Sequence, residues 1–269
     1  MPDISERFPT SRAQASRIDK LLVDQGYCRS RNQARELISL GKIMLQVGAG
    51  WEAVSKPSQT VLSDAKIKVL DNELQEYVSR GGLKLAGAIA QVGADFKDKT
   101  VLDVGQSTGG FTDCALKQGA ALVVGVEVGH GQLTPSLRDH PQVRVFEGVN
   151  AKEIPLSLLE LTTDCAGYDF AVMDLSFISQ TLVLKSVAAL LANNGSLISL
   201  VKPQFEVGPA GLGKGGIVKD ASLYSEVEDK IKMACEDAGL RVMDYFPSSI
   251  TGGDGNREFF VFACKVANS

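Results

Sequence analysis

Apolar and polar positions alternate along this chain in two different rhythms. Residues 17–25 (RIDKLLVDQ) place Ile18, Leu21, Leu22 and Gln25 on one helical face, and Gly26 stops the run. A second helix is predicted at once: Ser30 with Gln33 three residues later reads as a capping box, Ala34, Leu37 and Ile38 form the apolar stripe, and Gly41 suits the left-handed residue that closes a helix. Two short strands follow, IMLQV at 43–47 and AKIKVL at 65–70, separated by a polar stretch containing Gly and Pro. From residue 80 the rhythm changes. Apolar runs TVLDVG (100–105), ALVVGVEV (121–128), QVRVFE (142–147), DFAVMD (169–174) and GSLISLV (195–201) alternate with helical segments, which predicts a parallel, doubly wound sheet. A helix near 221–238 and strands near 240–245 and 258–266 complete this part. Residues 202–219, long and rich in Gly and Pro, read as either a disordered or a functional loop.

The expected organisation is therefore a small domain at 1–70, a linker at 71–79 and an α/β domain at 80–269, which suits a length of 269 residues. With 44% hydrophobic and 22% charged residues, fibrous and disordered classes are excluded. The five cysteines are odd in number, widely spaced and without a C-x-x-C pair, so neither a disulfide framework nor a metal site is suggested. No apolar run approaches the ~20 residues of a membrane span, and residues 1–10 lack the apolar stretch of a signal peptide. A cytoplasmic protein is expected. Residues 1–75 carry 11 Lys and Arg against 9 Asp and Glu, whereas 76–269 carry 17 against 23, so the small end is the basic one.

The candidate chemistry lies in the second part. Residues 103–111 (DVGQSTGGF) read as a strand ending in a Gly-rich turn that opens a helix, a shape that lets backbone approach a nucleotide. Glu127 ends the next strand, 18 residues after Gly109, where a doubly wound fold aims a carboxylate at a ribose diol. Together they indicate an adenosine-containing cofactor. The spacing is not G-x-G-x-x-G and the turn holds no cation, which disfavours a dinucleotide. Two other patterns are decoys. Gly105-Gln-Ser-Thr-Gly109 fits the nucleophile elbow of hydrolases, but that fold needs a late histidine and the chain has only His130 and His140. Residues 208–214 nearly complete a phosphate-binding loop, but Gly215 stands where a Ser or Thr must reach Mg²⁺. Asp174 after the fourth parallel strand and Lys202 after the fifth stand where open α/β sheets bind ligands, and a lysine there can act on a hydroxyl.

The ordered set RGGLKL (80–85), LDVGQSTGGFTDC (102–114), DLSFIS (174–179), VKPQFE (201–206) and GKGGIVKD (213–220) resembles the TlyA family, often labelled haemolysin A and similar to the FtsJ-type ribose 2′-O-methyltransferases. The resemblance runs from residue 17 to about 264. It includes RIDKLLVDQG…SRNQARELI, which is similar to the RNA-binding domain shared with a small-subunit ribosomal protein. It implies a Rossmann-like methyltransferase sheet preceded by a small α+β RNA-binding domain. It also implies S-adenosylmethionine as cofactor, held by Asp103, Gly105, Ser107, Thr108, Gly109, Gly110, Phe111, Glu127 and Asn150. The family's Lys-Asp-Lys-Glu tetrad falls by motif on Lys84, Asp174, Lys202 and Glu258. Gln106 departs from the family, which more often has Ala there.

Seven Lys and Arg against three acids between residues 12 and 42 usually mean only a solvated helix face. With the resemblance, Arg17, Lys20, Arg29, Arg31, Arg35 and Lys42 become candidates to meet the phosphates of a structured RNA such as ribosomal RNA. The competing readings are a non-catalytic RNA-binding protein with a vestigial cofactor fold and a membrane-acting haemolysin. The first is disfavoured because all four tetrad positions carry the needed residue types, the second because no span or strongly amphipathic basic helix is present.

Overall fold

The computed structural model describes residues 14–28, 30–70, 76–252 and 255–266, and the chain divides into two units between Glu76 and Tyr77. Of the candidate RNA-binding residues Arg29 lies outside the described residues, as do 71–75 of the expected linker.

In the first unit, strand β1 (Ala15–Arg17) leads into α1 (Ile18–Asp24), then α2 (Arg31–Ser39), β2 (Ile43–Val47), β3 (Gly50–Ala53), β4 (Thr60–Leu62) and β5 (Ile67–Val69). Strands β3, β2 and β5 form an antiparallel sheet in that order, and β1 pairs with β4. The stripe read from sequence is the core: Ile18, Leu21, Leu22, Ala34, Leu37 and Ile38 are buried together with Ile43 and Ile67. Ser30 Oγ accepts the Gln33 N–H at 3.2 Å, as the capping pattern expects. At the other end of α2, Gly41 has φ 66°, its N–H donates to Ile38 O (3.0 Å), and the Lys42 N–H donates to Leu37 O (2.9 Å). That pair of bonds is the Schellman closure. The polar stretch between the two expected strands is not a plain loop, because it contains β3 and β4. Every residue of β3 is exposed, so no apolar alternation marked it in the sequence.

The second unit runs α3 (Arg80–Val92), β6 (Thr100–Val104), α4 (Gly110–Lys117), β7 (Leu122–Glu127), α5 (Pro135–Arg138), β8 (Val143–Glu147), β9 (Tyr168–Met173), α6 (Leu184–Leu190), β10 (Leu191–Val201), α7 (Leu223–Asp237), β11 (Leu240–Pro247) and β12 (Phe259–Lys265). The sheet order is β11-β12-β10-β9-β6-β7-β8, with β6 to β10 parallel and β12 antiparallel to both neighbours. Both faces are covered, which is why the strands read as continuous apolar runs rather than alternating ones. Val101, Val123, Val172, Ile198 and Phe260 pack under α3 and α4. Their neighbours Leu102, Val124, Ala171, Leu197 and Val261 pack under α6 and α7. Strand order reverses between β6 and β9, so the ends of these two strands form the switch point where such sheets bind ligands.

Tyr77, inside the stretch read as a linker, is buried in the core of the second unit, and the Val78 N–H donates to Asp113 Oδ2 (2.8 Å). Residues 202–219 are described as a folded loop. It makes three short 3₁₀ turns and a Leu212–Val218 bridge, and the buried Asn256 amide holds the Val218 N–H (3.2 Å) and Gly216 O (3.1 Å).

A side chain at Gly41 would meet no atom within 4 Å, so only its left-handed backbone opposes substitution. Gly41→Ala is expected to destabilise the first unit by about 1 kcal/mol. Urea unfolding followed by the fluorescence of Trp51, the sole tryptophan and a residue of β3, measures it.

Candidate active site

The site is built on strand ends. After β6 the chain turns through residues 105–109, with Gly105 at φ 83° and Ser107 at φ 46°, and enters α4. A Cβ on Gly105 would stand 2.6 Å from the Asp174 carbonyl oxygen, so this turn and the loop after β9 share a wall. Helix α3 is drawn in equally tightly. A Cβ on Gly110 would fall 2.2 Å from Ser79 Oγ and 3.0 Å from the Gly82 nitrogen, and this close packing explains the glycines around residues 80–85. It brings Lys84 inward to form an ion pair with Glu258, both side chains buried.

The second ion pair joins Lys202 Nζ to Asp174 Oδ1 at 2.5 Å, and the same ammonium donates to Ser176 Oγ at 2.9 Å. Val201 of β10 faces Phe259 of β12, so the antiparallel register brings Lys202 and Glu258 to facing positions just beyond the paired strands. The four tetrad candidates thus occur as two lysine–carboxylate pairs at the strand ends.

Two cavities open here. The larger, about 570 Å³, is lined by Gly105, Ser107, Glu127, Asn150 and Asp174, with an apolar wall of Val126, Val128, Val149, Leu175, Phe177 and Ile178. The smaller, about 210 Å³, is lined by Ser79, Gly81, Gly105, Gln106, Ser107, Thr108, Gly110, Phe111, Asp174, Ser176 and Lys202. Gly105, Ser107, Asp174 and Ser176 line both.

The cofactor candidates fall into separate positions. Glu127 accepts the Ser107 N–H (2.9 Å) on one oxygen and the Gly129 N–H (2.8 Å) on the other, so it braces the turn while lining the larger cavity. Ser107 Oγ donates to Gln132 Oε1 (3.2 Å), and its hydroxyl is held by an amide rather than activated as a nucleophile. Thr108 O accepts the Thr134 hydroxyl (2.9 Å). Asn150 Oδ1 accepts the Lys152 N–H (3.0 Å), capping a turn at the cavity rim. Phe111 is buried and stacks on Phe260. Two candidates line neither cavity. Gly109, at φ 95°, turns its open side toward Leu133 and Leu137. Asp103 is fully buried behind the turn, accepting the Thr112 hydroxyl at 2.6 Å.

The sequence reading missed the apolar wall, Gln132, Thr112 and the two loop residues Ser176 and Phe177. Phe177 stands out, 91% exposed with φ 65° beside the Phe205 ring (centroids 5.1 Å apart). An aromatic face left open next to Asp174 is a surface on which a planar base can stack. It lay inside a motif already noted, but only the backbone shows that its ring is turned outward. The Gln106 departure has a local match. Its amide donates to Thr112 Oγ1 (2.8 Å) and occupies the space over Gly125, where a Cβ would fall 2.1 Å from it.

In the first unit, Arg17, Arg31 and Arg35 reach one carboxylate, the fully buried Asp19, at 3.0, 2.8 and 3.5 Å. Lys20 instead pairs with Asp24 on its own helix (3.1 Å), and Lys42 follows the closing turn of α2, half-buried.

The doubly wound sheet with cavities at its strand ends is a methyltransferase fold, and residues 77–265 match the FtsJ-like methyltransferase family, to which the chain belongs. Residues 16–67 match the S4 domain. Among curated relatives, the 16S/23S rRNA (cytidine-2′-O)-methyltransferase TlyA of Mycobacterium tuberculosis is 38% identical over 93% of this chain and 90% of its own. Hemolysin A of Brachyspira hyodysenteriae is 35% identical over 90% of this chain and 97% of its own. A solved structure from Streptococcus thermophilus superposes with a TM-score of 0.72 at 35% identity, covering 94% of this chain and 90% of that one.

Burial pushes the Asp103 carboxyl up from 3.8 to about 7, with repulsion from Asp174 and Glu127 adding to it and the Thr112 hydrogen bond opposing. The folded state therefore holds this proton more tightly than the unfolded chain. The group's contribution is full below pH 3.8 and is lost as pH rises to about 7, by at most about 4 kcal/mol. Unfolding in urea at pH 5 and pH 8 is expected to show a fall in stability that Asp103→Asn largely abolishes.

Proposed function

We propose that this protein is an S-adenosylmethionine-dependent methyltransferase that modifies a ribose 2′-hydroxyl of ribosomal RNA. The observation that carries the reading is the Lys202–Asp174 ion pair at the edge of the smaller cavity, one wall away from a larger cavity with an apolar side and a carboxylate at its strand end. The larger cavity fits a nucleoside-containing cofactor: its volume lies in the range of small-molecule sites, Val128, Leu175 and Ile178 supply flat apolar contact, and Glu127 faces the place of a ribose diol. When bound, S-adenosylmethionine supplies an electrophilic methyl group on sulfonium. Asn150 and the backbone of residues 105–108 would hold the rest of the molecule.

The chain's own task is to orient and activate a hydroxyl, which is a poor nucleophile at neutral pH. Two roles fit Lys202, held by Asp174 and Ser176: as an ammonium it would stabilise the developing alkoxide while the hydroxyl proton leaves to solvent, and as a neutral amine it would take that proton itself. Lys84 on α3 and Glu258 just before β12 form a second, buried pair, with Glu258 at the position facing Lys202. The loop after β9 reads DLSF and is followed by a lysine on the next strand, an arrangement suited to a hydroxyl acceptor rather than an exocyclic amine. Ribosomal RNA is favoured as substrate by the S4 domain and by the activity carried in the name of the M. tuberculosis relative. The haemolysin name belongs to other relatives, and among the described residues no helix is long and apolar enough to cross a membrane.

Incubation with labelled S-adenosylmethionine and ribosomal RNA tests the whole reading. Lys202→Ala is expected to keep cofactor affinity by calorimetry while transfer falls by about 10²–10⁴. RNA with a 2′-deoxy sugar at the modified position should accept no label, and label on that substrate would place the methyl group on a base. Arg31→Ala and Arg35→Ala are each expected to weaken RNA binding across sequences and to reduce its salt slope by about one contact.

A further inference from the structure

Asp19 stands at the first turn of α1 with no exposed surface, yet it is surrounded by more positive charge than it needs. Arg17 alone satisfies it in a bidentate grip, Nε to Oδ1 at 3.0 Å and Nη2 to Oδ2 at 3.1 Å. Arg31 then adds Nη2 to Oδ2 at 2.8 Å, and Arg35 brings Nε to 3.5 Å of the same oxygen. Among the described residues no other carboxylate pairs with these arginines, so three guanidiniums converge on one negative charge. Holding like charges together is unfavourable unless a further anion meets them. The carboxylate is walled off from solvent, while the three side chains are 48%, 46% and 51% exposed. Arg17 spends two of its five donors on Asp19 and Arg31 one, Arg35 stands at ion-pair distance, and the remaining N–H groups of these half-exposed side chains are left for the outside.

We propose that Asp19 is a positioning residue that fans Arg17, Arg31 and Arg35 into a preformed cradle for the phosphodiester backbone of RNA. The inference rests on the RNA-binding reading of the first unit and says how that face works. A free arginine loses rotamer entropy when it grips a phosphate. These three have lost part of it on folding, because Asp19 holds Arg17 and Arg31 by hydrogen bonds and Arg35 by an ion pair. The same anchor brings together residues from before α1 and from one face of α2, giving a cluster with two surplus positive charges.

The proposal makes a prediction opposite in sign to charge counting. Asp19→Asn removes a negative charge beside the cluster, and electrostatics alone would tighten RNA binding. Loss of the anchor is expected to weaken it about tenfold in the full-length chain, measured by filter binding to purified ribosomal RNA at fixed salt. A folded Asp19→Asn protein that binds as well as or better than the wild type would overturn the proposal. A second variant decides if that one does not fold. Replacing Arg17, Arg31 and Arg35 together by Lys keeps every charge and leaves Asp19 paired, but removes the planar forks. It too is expected to bind at least tenfold more weakly, and unchanged affinity would overturn the cradle. Should Arg31→Ala and Arg35→Ala leave binding intact at every salt concentration, the RNA reading of this face fails, and the cradle with it. If only the Asp19 and triple-Lys results go against expectation, the face binds RNA through charge alone. Competition by poly-glutamate as effective as that of RNA would assign the cradle to an acidic protein instead.

Discussion

The contact on which the site depends is the backbone approach of Gly105 to Asp174. Where β6 and β9 lie side by side, a Cβ at 105 would fall 2.6 Å from the Asp174 carbonyl. Any side chain there, at φ 83°, would push the two strand ends apart. Because they meet, one wall separates the cavity with the apolar side from the cavity with Lys202, and Asp174 belongs to both. The two cavities therefore border each other along shared residues, so that whatever occupies one lies beside the other.

Around this wall the charges are arranged so that none of the four tetrad groups is isolated. An unpaired carboxylate or ammonium buried at a strand end would carry a desolvation cost of several kcal/mol, whereas a pair offsets much of it. Lys84–Glu258 is the drier pair, held by the close packing of α3 on α4. Lys202–Asp174 lines the smaller cavity and is the more exposed of the two. Asp103 has no such partner. It sits behind the turn with only the Thr112 hydroxyl and backbone N–H to accept from, and burial without a cation displaces its titration.

What could be read from sequence followed the strength of the local signal. The five parallel strands were legible because burial on both faces makes them continuous apolar runs, and α2 was legible because Ser30 and Gly41 mark its ends. Strand β3 left no trace, since its four residues are all exposed. Tyr77 could not be moved out of the linker by pattern alone, because its burial comes from a contact with Gly82 that no periodicity encodes. At the site, motif spacing located the four charged candidates, but not their division into two ion pairs. It also grouped Asp103 and Gly109 with residues that line the cavities, though both serve the turn from behind. Gln106 stood out as a departure from the family, and only its packing over Gly125 shows how the fold accommodates it.

The charge of the two parts gives a reason for the two-unit design. Residues 76–269 carry six more acidic than basic side chains, an unfavourable balance for a domain whose proposed substrate is a polyanion. The groups the chemistry needs do not correct it, because each tetrad lysine is neutralised by its own carboxylate. On the proposed reading, affinity for RNA then comes from cations outside the tetrad. The first unit offers such cations: three arginines gathered around a carboxylate that has no exposed surface of its own. In one unit the carboxylate balances the lysine proposed to meet the acceptor. In the other it is outnumbered, and the surplus positive charge is what remains for the phosphates.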